Sequence, residues 1–453
     1  MNRLFTFDHL KWLYPGMHIK RWLGLMVIGV AILAFGFSFI VREAYLEGLR
    51  LPDFMYYLTL QFIPRALRGS LFMGGAVALV IFSIVKLNQS LISVLAPNRD
   101  SSESLVNTIY AHRFLGRGPK IVAIGGGTGL STLLRGLKEY TTNLTAIVTV
   151  ADDGGSSGVL RREHGVLPPG DVRNCIAALA DAEPLVTKLF QYRFDEGTGL
   201  AGHSFGNLFI VAMAGVVGNF EEGIRQTSRV LAVRGQIIPS TLDDVTLNAT
   251  TTDERTIRGE SNITADLKTN GHDARINEVY LEPHNPPAHP EAVRAILDAD
   301  LVILGPGSLY TSVMPNLLVQ GIRRALAASP APMVYVCNVA TQHGETDGFS
   351  VRDHVAAIEA HTGKGMIHYV LANDNLTEEA LRAEFSQPVL VDTDINNGIR
   401  LVRTDVVSEE NRYHHDSLKL ARAVMDIYYE SDRGSLPEPE KSLVSAFDPQ
   451  AHR

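Results

Sequence analysis

Three short segments carry residues whose types and spacing suit the binding of a phosphorylated ligand. Gly125-Gly126-Gly127-Thr128-Gly129 follows the β-branched run Lys120–Ile124 and precedes a helix-like stretch, Leu130–Tyr140. Glycines at such a turn let backbone N–H groups approach an anion, and the helix N-terminus adds a favourable dipole. Thr128 and Ser131 offer hydroxyl donors. The spacing is GxGxG rather than GxGxxG, and no Lys-Ser/Thr follows, so neither a dinucleotide fingerprint nor a Walker A loop is present. Gly305-Pro306-Gly307-Ser308-Leu309-Tyr310 repeats the pattern after the strand-like Asp300–Leu304, and Asn338 follows a third apolar run, Met333–Val336. Three apolar strands that each end in a polar, glycine-bearing loop imply one shared crevice, because ligands of open α/β sheets bind beyond the strands' carboxyl ends.

Between the first two segments lie the charged candidates. Asp152 and Asp153 end the strand Leu144–Val150. Adjacent carboxylates there suit a ribose, a divalent metal such as Mg2+ (with Asp153 as the candidate ligand) or a hydroxyl nucleophile, or else they cap a helix. Asp171, Arg173 and Asn174 open a helix; Asp171 is either a ligand group or its cap, and Arg173 either grips a phosphate or forms a structural ion pair. His203 and Asn207 precede the apolar helix LFIVAMAGVVG. No CxxC, HExxH or GxSxG motif occurs, which removes support for zinc sites and esterase elbows. Cys175 and Cys337 read as small buried residues, and His414-His415 as a solvated polar stretch.

These elements need a scaffold of alternating strands and helices, a Rossmann-like, mostly parallel sheet with helices on both faces. The chain has 453 residues and a net charge of −8, with a mean hydropathy of +0.06. Both averages hide two unlike parts. Residues 1–118 carry 12 Lys+Arg against 6 Asp+Glu, and the remainder 29 against 43. An acidic body without a basic stripe argues against nucleic acid as a partner. Trp22 to Val41 is free of charge, and Gly69 to Val85 is a second apolar run. The expected organisation is therefore a two-helix transmembrane hairpin within 1–95 (about 22–41 and 69–87), a linker at 96–118, a nucleotide-binding domain at 119–432 and a mobile tail at 433–453. The expected location is the plasma membrane, with the lipid bilayer as partner and the body cytoplasmic.

Six segments together resemble the YvcK-type gluconeogenesis-factor family, within the wider group that includes the CofD-type 2-phospho-L-lactate transferases. They are 125–158, 167–181, 202–209, 231–241, 304–319 and 336–355. The resemblance implies a domain that binds a nucleotide sugar of the UDP-N-acetylglucosamine type. It also implies control of cell-wall precursor synthesis and cell shape with carbon source, through a partner enzyme. In this light the glycine loops at 125–129 and 305–310 hold a diphosphate and its neighbours. Asp152 and Asp153 fall where the transferases place acidic residues beside acceptor and metal, and Asn174 and Asn207 line the same cleft. Gly129-Leu130-Ser131 stands where the transferases carry a Gly-Ala-Lys type continuation, a departure from deazaflavin-cofactor chemistry. Beside the ligand-binding regulator stand two other readings, a Mg2+-dependent transferase acting on a nucleotide diphosphate and a membrane-tethered scaffold with a vestigial pocket. Homo-oligomerisation is left open.

Overall fold

The computed structural model describes residues 19–46, 53–58, 60, 62–64, 67–80, 82, 115–181, 184–195, 197, 199–270, 275–376, 386–392 and 398–433. The chain divides into two compact units, Met1–Phe114 and Leu115–Arg453.

The first unit contributes helices Ile19–Leu46 and Asp53–Leu58 and a helical stretch over 67–80. Here the expected membrane hairpin and membrane location are corrected: among the described residues, no helix is long and apolar enough to cross a membrane. The helix Ile19–Leu46 takes charged residues such as Arg42 and Glu43 into its length. The second stretch rises only about 21 Å where described, against roughly 30 Å for a bilayer core. The far end of the expected second span, most of the linker (up to residue 114) and the tail from 434 lie outside the described residues.

The second unit is built on seven strands: β1 (Ile121–Gly125), β2 (Leu144–Val148), β3 (Gln236–Pro239), β7 (Leu301–Leu304), β8 (Met333–Val336), β9 (Tyr369–Asn373) and β10 (Arg400–Thr404). Their order is β10-β9-β8-β7-β1-β2-β3, and every pairing is parallel. Strands covered on both faces should be continuously apolar rather than alternating. β1, β7 and β8 are buried at every position. The chain runs outward from β1 through β2 to β3 and then returns to β7 on β1's other side. The order thus reverses between β1 and β7, the switch point at which such sheets bind ligands. A second, three-stranded antiparallel sheet, β5-β4-β6, is inserted between β3 and β7; it comprises β4 (Thr246–Thr251), β5 (Thr256–Arg258) and β6 (Ile276–Glu282).

Helix α1 (Gly127–Leu137) follows β1 at once and buries Leu130, Leu133, Leu134 and Leu137. That spacing of three and four is one helical face. Its far end lies against the helix Ser417–Arg433, so closely that a Cβ on Gly136 would collide with the Ser417 carbonyl oxygen and lie 2.6 Å from the Ala421 Cβ. Gly215, in the helix Phe205–Val217, has open space where its Cβ would be. The two glycines should therefore respond oppositely to alanine in chemical denaturation. Gly215→Ala should gain up to about 1 kcal/mol from helix propensity, whereas Gly136→Ala should lose about 1–3 kcal/mol through overpacking.

Candidate functional site

The carboxyl ends of β1 and β7 meet backbone to backbone. Gly126 is extended and Gly127 takes a positive φ of 66° to start α1. A Cβ on Gly129 would stand 2.6 Å from the Pro306 carbonyl oxygen, so the two glycine turns touch with no room for a side chain. Asn316, fully buried, holds the arrangement from behind by donating to the Gly125 carbonyl at 3.1 Å and the Ser312 carbonyl at 2.9 Å. On the β7 side, Asn338 closes a two-way pair with Gly307: it accepts the Gly307 N–H at 3.2 Å and donates to the Gly307 carbonyl at 2.9 Å. Ser308 donates its hydroxyl to the Gln342 side-chain oxygen.

Two cavities open beside these turns. One, of about 300 Å3, lies on the β2 side and is lined by Asp152, Asp171, Arg173, Asn174, Arg193 and Asn207 among others. The other, of about 250 Å3, lies on the β8 side and includes Thr128, Gly129, Gly307, Ser308, Asn338 and His414. The first is charged; the second offers mostly uncharged donors and acceptors. Larger hollows, of about 620 and 540 Å3, lie away from the glycine turns.

In the first cavity, helix Gly170–Leu179 presents Asp171 and Arg173 from its first turn. The Arg173 guanidinium donates to the Ser204 hydroxyl at 2.7 Å and the Asn174 side-chain oxygen at 2.8 Å. Its Nε is buried with no hydrogen-bond partner among the described residues. Burial, and then the charge of Arg193, push the Arg173 guanidinium below its ordinary pKa. Asn207 donates to the Ser156 hydroxyl at 3.0 Å, and His203 Nδ1 lies 3.0 Å from the same oxygen. The Asn207 side-chain oxygen, in a residue 1 % exposed, has no partner among the described residues. An arginine nitrogen and an amide oxygen left unpaired beside a cavity are groups a polar ligand would satisfy.

The carboxylates divide in role. Asp152 accepts the Gly154 N–H at 2.9 Å, and burial raises its pKa. Asp153 turns away and accepts the Ser261 N–H at 2.9 Å in the first turn of the helix Glu260–Asn270, so it works there as a helix cap. Among the described residues no group of three or more His, Cys, Asp or Glu is placed to hold a metal ion. Asp171 accepts the Gly127 N–H, and burial, with Asp152 adding to it, pushes its pKa up to about 7. Tyr310 is not at either cavity. It lies in a π-helical turn, Leu309–Val313, 3 % exposed between Phe349 and His361, and burial raises its hydroxyl to about 12. Gly305 supports the turn with a φ of 77°.

Two acids escaped the sequence reading. Glu260 is pushed up to about 8 by burial and then by Asp152, Glu345 and Asp153. Glu345 is 4 % exposed and accepts from Gln342 at 2.7 Å and Thr311 at 3.1 Å, while its second oxygen has no partner among the described residues. Burial brings Glu345 to about 7. His415, expected in solvent, is buried; its Nε2 is 3.2 Å from the Cys337 carbonyl, and burial lowers its pKa to about 4.

A carboxyl raised in the folded state is held protonated while its unfolded counterpart ionises. Its presence therefore costs stability progressively as pH rises from about 4.5 to about 7, and by a constant amount above that. Glu345→Gln should be more stable than the parent at pH 8, by up to about 3 kcal/mol. The advantage should shrink to about 1 kcal/mol at pH 5 and vanish below about pH 4, as read by denaturant unfolding across that range.

Comparison with known proteins agrees with this architecture. The family described as "2-phospho-L-lactate transferase CofD" matches residues 121–407. The gluconeogenesis factor of Bacillus subtilis (strain 168) is 45% identical over 323 residues, which is 70% of this chain and 100% of that protein. A relative from Nostoc sp., also named for gluconeogenesis, is 47% identical over 428 residues, 92% of each chain. A crystal structure of a UPF0052 family member from Bacillus halodurans aligns with a TM-score of 0.64 at 42% identity, covering 68% of this chain and 99% of that one. The model match spans more than half of the chain, and the fold and glycine turns fall within it, so the chain belongs to the CofD family, alongside the gluconeogenesis factors.

Proposed function

We propose that this protein is a ligand-binding regulator that takes a nucleotide sugar of the UDP-N-acetylglucosamine type across its paired glycine turns. The carrying observation is the pair of cavities on opposite sides of those turns. Each is at or below the lower end of the usual 300–1,000 Å3 for a ligand site. A nucleotide sugar has two arms joined by a diphosphate, and the glycine backbone lies where the joint would fall. The two unpaired polar atoms, Arg173 Nε and Asn207 Oδ1, support a ligand that brings both acceptors and donors. The relatives' names support a link to gluconeogenic carbon; the wider reading, control of cell-wall precursor synthesis and cell shape through a precursor-synthesising enzyme as partner, extends that link and is part of the proposal.

A second reading, transfer of a phospho-lactyl-type group from a nucleotide diphosphate, is favoured by the description of the matching family. In that case Mg2+ would enter with the ligand's phosphates, as this ion keeps few protein ligands. Calorimetry of the full chain with UDP-N-acetylglucosamine, GDP and ADP separates the readings. The UDP-sugar should bind most tightly and be recovered intact. Arg173→Ala should weaken it about 10- to 100-fold, the usual worth of a charge-assisted contact. Equal affinity for all three nucleotides would overturn the sugar-nucleotide reading, and consumption of the nucleotide would establish the transferase.

A further inference from the structure

The donors at the start of α1 are not free. Asp171 accepts the N–H of Gly127, the first residue of that helix. It presses so close that a Cβ on Gly126 would collide with its Oδ2, while Thr149 closes the other side with its Cγ2 2.8 Å from that Cβ. A carboxylate of the protein thus occupies the place at an eleven-residue helix N-terminus where an anion would bind. The same cavity holds the unpaired Asn207 oxygen, in a side chain almost wholly buried, which indicates a missing ligand donor rather than a finished internal network.

Resting on the nucleotide-sugar reading above, we propose that Asp171 is a built-in competitor for the ligand's phosphate, and that the phosphate takes its place at Gly127 only as the protein takes up one proton. Two anions cannot share the helix terminus in a buried setting without strong repulsion. The charged groups around Asp171 reinforce this. Asp152 faces it from the loop after β2, and Glu260 from the helix Glu260–Asn270. Arg173 and the Cys175 thiol face it from its own helix. Arg173 is itself opposed by Arg193 and already donates to Ser204 and Asn174. His203 reaches the cavity only through Ser156. Of the two arginines that line the cavity, Arg173 is the one that acts on Asp171, and it is already shared, so a phosphate's extra charge is most readily offset by a proton on the carboxyl it displaces.

UDP-N-acetylglucosamine suits the test because its diphosphate is esterified at both ends and does not titrate near neutrality. Asp171 is ordinarily half-ionised at about pH 7. Affinity should hold below that pH and fall by up to tenfold per unit above it. Titration calorimetry of the full chain at pH 8, in buffers of different ionisation enthalpy, should count close to one proton taken up per ligand. Asp171→Asn, checked for folding by its melting transition, should bind with almost no uptake and with affinity flat from pH 6 to 8.5. Wild-type binding without proton uptake would overturn the proposal alone. Uptake retained in Asp171→Asn would assign the proton to Glu260 or His203 and overturn it too. No binding at any pH would overturn the nucleotide-sugar reading itself, and the proposal with it.

Discussion

The contact between the two glycine turns is the constraint on which the rest of the site depends. β1 and β7 pair in parallel, with Ile121 opposite Leu301 and Ile124 opposite Leu304. The register delivers both turns to the same level of the sheet, and Gly129 can meet the Pro306 carbonyl only because neither turn carries a side chain there. From this seam the two cavities follow: one side is furnished by the loops after β2, the other by the loops after β7 and β8. Asn316 and Asn338 stiffen the seam with hydrogen bonds to backbone rather than to each other. The site is thus a property of backbone geometry, onto which the charged side chains are added.

Those charges form an unusual balance. Asp152, Asp171, Glu260 and Glu345 are each raised by burial. Three of them also have donors that keep them in place: Gly154 N–H for Asp152, Gly127 N–H for Asp171, and Thr311 and Gln342 for Glu345. Carboxyls perturbed by burial and by specific charged neighbours in a cleft are candidates for a functional site. The result is a body that is acidic overall and still gathers backbone N–H groups and Arg173 at its centre, where they act locally and net charge does not.

Much of this was legible in the sequence wherever local patterns decide structure. The apolar runs at 120–124, 300–304 and 333–336 became β1, β7 and β8 nearly residue for residue, since a doubly covered parallel strand must be apolar throughout. The glycine turns, Asp171, Arg173 and Asn207 were visible because each stands at a strand end or a helix start. What was not legible depends on distant contacts. For Asp153 the sequence left chemistry and a helix cap both open, and the partner that makes the cap, Ser261, is 108 residues away. Tyr310 looked like a ligand hydroxyl, but the π-helical turn of Leu309–Val313 turns it inward. Glu260 has no local signal at all: its significance comes from the carboxylates of other segments. The apolar N-terminal runs showed the opposite failure, in that composition alone promised a membrane hairpin that no described helix is long and apolar enough to make.

The cap made by Asp153 has a mechanical meaning. The helix Glu260–Asn270 belongs to the inserted antiparallel module, packing against β4 and β5, and its first turn hangs from a loop whose preceding residue, Asp152, lines the charged cavity. The insert is therefore not an appendage but a lever whose short arm ends inside the site. The same helix touches a second carboxylate, where Thr264 donates to Glu345 at 3.4 Å, so the insert is tied at two points to the loops that surround the glycine turns.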